Sequence, residues 1–339
     1  MMQIEIVNLN DLVKKDHPYR KLLTIIDFSG LAKNIAHIKN NQVVGRAGYK
    51  VDSCLKMLTL QFMEDLSDRE LERFLAENNA AKLFCDFSLT EKTPDHSLFG
   101  RLRQSIGTNN LASIFNSVRE QLKQKSLIRE IFTFVDSSQL VSKINLWNER
   151  DKAIAEGLEK FNNAVIAENK SKNSNNSTKI KIADKQARFG CKGKNKHWYG
   201  YKRHVSVDMQ SGLINKVAVT PANVSDAKAV KHILPKQGAV FGDKGYCTKD
   251  SVIHMKIKNL HNFTIKTNNM KDKNFAKDKW IAKARSPYER VFSKISKRSR
   301  YRGIAKNQFQ VFMESLAFNF KRLIKLADQK PSFATSRQA

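Results

Sequence analysis

Three carboxylates stand where chemistry could use them. Asp136 closes the stretch IREIFTFVD, whose alternation predicts a strand with Phe132, Phe134 and Asp136 on one face. Asp243 closes the apolar run GAVFGD, which reads as a buried strand. Glu289 lies in SPYERVFSKISKRSRYRG, where Ser286 as N-cap, Pro287 at the first helical position and Glu289 as a capping-box acid predict a helix start. Taken singly, each acid also suits a cap or a turn. Together they fall at the ends of elements, and open α/β sheets bind ligands at the carboxyl ends of their strands. If those two strands are neighbours, Asp136 and Asp243 come side by side, and the late helix can bring Glu289 to them. Bunched carboxylates repel unless something neutralises them. Mg²⁺ would do so, since it takes oxygen ligands and keeps positions open for water and phosphate. Two such ions, with Mn²⁺ as a substitute, can drive phosphodiester cleavage. The cations around Glu289 (Arg285, Arg290, Lys294, Lys297, Arg298, Arg300 and Arg302) then suit holding an anionic backbone.

Charge points the same way. Lys and Arg number 61 against 32 acids in 339 residues, a net charge of +29. Such an excess describes a polyanionic partner or an anionic membrane surface. No apolar run approaches the roughly 18 residues of a spanning helix, and nothing resembles a signal peptide. Nucleic acid in the cytoplasm is therefore favoured over a membrane. The four cysteines, Cys54, Cys85, Cys191 and Cys247, form no CxxC pair and fit reduced thiols. Cys191, His197 and His204 lack the paired spacing of a zinc site.

The elements that must position these groups fall into two domains. Residues 1–125 read as helical: VDSCLKMLTLQFMEDL is apolar at helical spacing, LSDRELERFLAEN opens with a Ser67/Glu70 capping box, and Thr93-Pro94 starts another helix. That helix pair predicts a helix-turn-helix, with Arg101, Arg103 and Gln104 facing a DNA groove. From 126 to 328 the pattern is β-β-β-α-β-α-β-α, an α/β mixed sheet with helices on its faces. A polar stretch near 168–196 reads as a mobile basic loop, and 329–339 as a frayed tail. Asp208 reads as a turn residue and Asp226 as a first-turn helix acid.

These residues carry a family likeness. SDRELERFLAENNAAKLFCDF and KTPDHSLFGRLR come first. FVDSSQL, KHWYGYKRHVSVDMQSGLINKVAVTPANVSDAK, GDKGY, RSPYERVFSKI and RYRGIAKNQFQVFMESLAFNFKRL follow in family order. The chain resembles the bacterial insertion-sequence transposases of the DDE type, in the group named after the fifth insertion sequence and related to the fourth. The resemblance implies a ribonuclease-H-like catalytic domain with Asp136, Asp243 and Glu289 as its metal-binding triad. It implies an enzyme that binds double-stranded DNA at terminal inverted repeats, cleaves with Mg²⁺ and joins the 3′ ends to target DNA. A homodimer on DNA, associated with the nucleoid, follows from the same likeness. Arg285 and Glu289 keep the family's spacing on the late helix, but Ala282 replaces its Tyr and Ser296 its Lys. Lys297, one residue on, can reach the same phosphate. Lys202 and His204 match the family's basic pair on the second strand, while Arg300 and Arg302 suit DNA-backbone contacts. A nuclease that cuts without joining, or an inactive copy acting as a DNA-binding regulator, are the other readings.

Overall fold

The computed structural model describes residues 7–39, 48–144, 147–170, 183–193 and 195–329. The chain divides into two units, Met1–Leu127 with Phe312–Ala339, and Ile128–Val311. The first unit is helical: α1 (Leu9–Leu12), α2 (Pro18–Ile25), α3 (Phe28–Ala32), α4 (Val51–Met63), α5 (Asp68–Glu77), α6 (Asn79–Phe84) and α7 (His96–Gln124). Its centre is α4, buried from Ser53 to Met63, as a helix apolar on most sides must be. The Ser67/Glu70 capping box opens α5. Thr93-Pro94 does not start α7; Asp95 caps it by accepting from Ser97 N at 2.8 Å, which leaves Pro94 outside the helix. Gly107, at φ 66°, breaks α7 into two segments.

The second unit is built on one mixed sheet. Its strands are β1 (Phe132–Val141), β2 (Arg188–Lys192), β3 (Lys196–Asp208), β4 (Ile214–Pro221), β5 (Ala239–Gly242) and β6 (His261–Thr264). They run in the order β2-β3-β1-β5-β6, with β4 paired to the second half of β3. Antiparallel pairing joins β3 to β1, β2 and β4, and parallel pairing joins β1 to β5 and β5 to β6. This is the expected mixed sheet with flanking helices behind a helical amino-terminal region.

Sequence patterning missed part of it. Two helices, α8 (Trp147–Glu156) and α9 (Leu158–Lys170), follow β1, and β2 lies inside the stretch expected to be a loop. The reason is tertiary. Asn162 on α9 exchanges two 2.9 Å hydrogen bonds with the backbone of Phe189 on β2. The Phe189 ring meets Phe161 edge-to-face at 5.2 Å and Tyr199 at a tilt at 5.0 Å. Residues 171–182 and 194 of that stretch, and the tail from 330, lie outside the described residues.

Helices α10 (Asp226–Ile233) and α11 (Lys249–Ile257) pack on one face around Val135, Val230, Val240 and Tyr246. On the other, α12 (Phe275–Ser293) packs through Ile281 against Ala239 and Phe241. Asn274 caps α12, so Ser286 is no N-cap and Pro287 sits inside the helix. Glu289 is therefore on the penultimate turn, not the first. The last helix, α13 (Ile304–Gln329), begins in the second unit and ends in the first. There Phe312 meets Phe115 and Phe320 meets Phe28, with ring centroids 5.2 and 5.9 Å apart.

Candidate active site

The site starts from strand register. Parallel β1 and β5 pair at Phe132–Ala239, Thr133–Val240 and Phe134–Phe241. Asp136 and Asp243 each lie two residues beyond the last of these pairs. Side chains two apart share a face, and neighbouring strands are about 4.8 Å apart. The two carboxylates are thus set side by side by backbone geometry. Asp136 is not at the end of its strand, as the sequence implied, because β1 runs on to Val141 against β3. What ends at Phe134 is the pairing with β5, and that opens the cleft. Asp243 accepts from Gly245 N at 2.9 Å and Asp136 from Ser137 N at 2.7 Å. Burial, above all, raises the Asp136 pKa to about 7; the Ser137 amide opposes this, Asp243 adds to it, and Arg285 and Lys192 oppose it. A half-buried acid beside a second acid is in want of positive charge.

Phe134 fixes α12 over this pair. The Tyr288 and Phe292 rings lie 6.2 and 6.3 Å from its centroid, and the Arg285 guanidinium lies 5.4 Å above it. Arg285 is buried and reaches Glu289 at 3.5 Å, the i,i+4 pair expected from their spacing. Beyond α12 the chain rejoins the sheet: Val141 N donates to Lys297 O and Ser299 N to Val141 O, both at 2.8 Å. Ser296 bonds both backbone groups of Arg298, tightening the turn that presents Lys297. The result is a cleft of about 580 Å³ lined by Asp136, Asp243, Glu289 and Arg285, with Lys192, Lys196, Lys202 and Lys297 among its cations.

Other predicted residues lie elsewhere. His204 is fully buried, its Nε2 2.9 Å from Thr220 Oγ1, and burial lowers its pKa to about 4. It is a neutral core group and cannot reach DNA. Arg103 makes a bidentate pair with Asp68 at 2.7 Å and also donates to Gln61 at 3.0 Å. It braces α7 to α5 rather than facing a groove, and α6 separates the two helices of the expected helix-turn-helix. Arg101, on the same helix, is exposed with Ser97 3.3 Å away, as is Gln104. Arg302 is exposed and Arg300 half-buried, both outside the cleft lining. Asp208 is the turn residue expected, accepting from Gln210, Ser211, Arg129 and Glu130 amides. Asp226 was missed. It is a first-turn acid of α10, as read, yet it also lines the cleft, paired with Lys202 at 3.2 Å. Lys192 and Lys196 were missed as well, since only the β2–β3 hairpin brings them there.

Among the described residues, no three His, Cys, Asp or Glu side chains stand close enough to hold a metal ion as a set. Asp136 and Asp243 alone are a fitting donor pair, because Mg²⁺ is commonly held by one or two carboxylates plus waters and phosphate. Glu289 lines the same cleft, paired with Arg285 through one carboxylate oxygen.

The curled mixed sheet with flanking helices, behind a helical amino-terminal region in the sequence, is the ribonuclease-H-like fold class. Residues 7–105 match the family model described as Transposase domain (DUF772), and residues 174–320 the one described as Transposase DDE domain. The second match includes Asp243 and Glu289 and begins after Asp136. No solved structure matches the chain. The chain belongs to the DDE transposases of insertion sequences. That family works with divalent metal ions. No described helix is long and apolar enough to cross a membrane.

Proposed function

We propose that the chain binds the terminal inverted repeats of its element as a homodimer on double-stranded DNA. It cleaves the phosphodiester at each element end with two Mg²⁺ ions held by Asp136, Asp243 and Glu289, and joins the freed 3′-hydroxyl to target DNA. The observation that carries this is the shared register of Asp136 and Asp243 in a cleft rimmed by lysines. Bound Mg²⁺ supplies an activated oxygen nucleophile and neutralises the leaving oxygen. The chain's residues do the rest. Asp136 and Asp243 present oxygen donors from rigid strands, while Lys192, Lys196 and Lys297 draw the phosphate backbone into the cleft. Arg285 pairs with Glu289 at the rim, and a DNA phosphate would compete for the guanidinium while a metal ion would compete for the carboxylate. Water attacks the phosphorus and the 3′-oxygen leaves; that 3′-hydroxyl then attacks a target phosphodiester and displaces the target's own 3′-oxygen. No covalent protein intermediate is needed, which suits a site of carboxylates without an activated Ser or Tyr.

The test uses DNA carrying the sequences that flank the coding region. Wild type cuts and joins these ends in Mg²⁺, with Mn²⁺ as substitute. Asp243→Asn binds the ends and cuts nothing, since it removes a metal ligand without adding bulk. Normal cutting by that variant would falsify the assignment. A nuclease would cut without joining. The regulator reading draws support from Glu289 being committed to Arg285 and from Ala282 and Ser296; it predicts a wild type that binds ends and leaves them intact.

A further inference from the structure

The cleft holds one ion pair that the triad does not use. Lys202 Nζ donates to Val224 O at 2.9 Å and to Asp226 Oδ1 at 3.2 Å, and the two side chains are only 14% and 23% exposed. An ammonium has three donors, so a third remains for a ligand in the cleft. The other oxygen of Asp226 turns toward the acids: Asp226 Oδ2 and Asp243 Oδ1 lie 3.6 and 3.1 Å from the point where a Gly245 side chain would begin. Glycine keeps that gap open. Buried Tyr246 lies in the field of Asp226, Asp136 and Asp243 together. A first-turn acid acting on the helix dipole needs none of this geometry.

We propose that Asp226 is a positioning residue for DNA cleavage: it holds the Lys202 ammonium beside Asp243, where its remaining donor takes a non-bridging oxygen of the bound strand. This rests on the transposase reading. Asp226 has no contact with the reacting atoms; it acts through Lys202.

The experiment compares Asp226→Asn, Asp226→Glu, Lys202→Ala and the Asp226→Asn/Lys202→Ala double variant on flanking-end DNA, with Asp243→Asn as control. Lys202→Ala loses about one unit of the log–log salt slope of binding in EDTA, the loss expected for one phosphate contact. Asp226→Asn is expected to lose the same unit, although removal of a negative charge would by itself tighten binding. Each single variant cuts about 10- to 100-fold more slowly in Mg²⁺, the scale of a displaced positioning group. The double variant falls no further than the worse single, because the two residues act as one unit. Asp226→Glu recovers part of the rate. Tighter binding by Asp226→Asn with an unchanged slope, or singles that multiply in the double variant, would overturn the proposal. If Asp226→Asn does not fold, Asp226→Glu at wild-type salt slope with Lys202→Ala cutting normally overturns it equally. Wild-type cutting by Asp226→Asn while Asp243→Asn is inactive sinks only this inference; cutting by Asp243→Asn sinks the metal site beneath it.

Discussion

Asp136 offers a measurement that needs no DNA. In the metal-free protein its carboxyl is held near pKa 7, against 3.8 when unperturbed. Between those values the folded chain binds a proton that the unfolded chain has released. Stability from this group is therefore fully present below about pH 4, declines as pH rises and levels off above pH 7. At about 1.4 kcal/mol per pK unit, the ionised side chain costs the folded state about 4 kcal/mol above pH 7. Partial exposure to solvent reduces this to about 2 kcal/mol. Asp136→Asn removes the charge and keeps an oxygen for the Ser137 amide. In urea denaturation with EDTA, the variant is expected to be more stable than wild type by about 2 kcal/mol at pH 8 and equal to it near pH 4. Millimolar Mg²⁺ at pH 8 then stabilises wild type and leaves Asp136→Asn unchanged. A variant less stable than wild type at pH 8, or a difference that ignores pH, would refute a strained, cation-seeking Asp136.

Three further outcomes follow from the packing. Phe134→Ala removes the ring that Tyr288, Phe292 and Arg285 share, and is expected to cost about 3–5 kcal/mol. It also abolishes metal-dependent cutting by loosening α12; a variant that melts like wild type would show that Phe134 does not anchor the helix. Arg103→Ala breaks the bidentate pair with Asp68 and should destabilise the helical unit by about 1–2 kcal/mol, seen as a lower Tm. If DNA affinity falls with no change in Tm, Arg103 serves DNA after all. Removing residues 1–127 leaves the second half of α13, with buried Leu316, Phe320 and Leu323, without the unit it belongs to. Fragment 128–339 is expected to aggregate on size exclusion and to be rescued by co-expression with 1–127; a monodisperse fragment would contradict that membership.

Much of this protein is local and therefore present in its sequence. Alternation in IREIFTFVD and the apolar run GAVFG specify strands whatever surrounds them, and the Ser67/Glu70 box opens its helix through its own side chains. Asp136 and Asp243 could be singled out because they follow directly from those two strands, whereas Glu289 was singled out from a helix start that the folded chain does not use. Other features depended on partners far along the chain. Ser286-Pro287 carries a helix-start signal, yet the packing of Ile281 and Arg285 carries α12 straight through it from Asn274. RFGCK becomes a strand only because Asn162, Phe161 and Tyr199 hold Phe189. His204 and Arg103 look like DNA contacts until burial and Asp68 claim them. Asp226 looks like any first-turn acid until folding turns it onto Lys202 beside Asp243. Charge and periodicity determine which residues are available for chemistry; which of them face one another is decided by strand register and by competition among partners, and neither exists before the chain is folded.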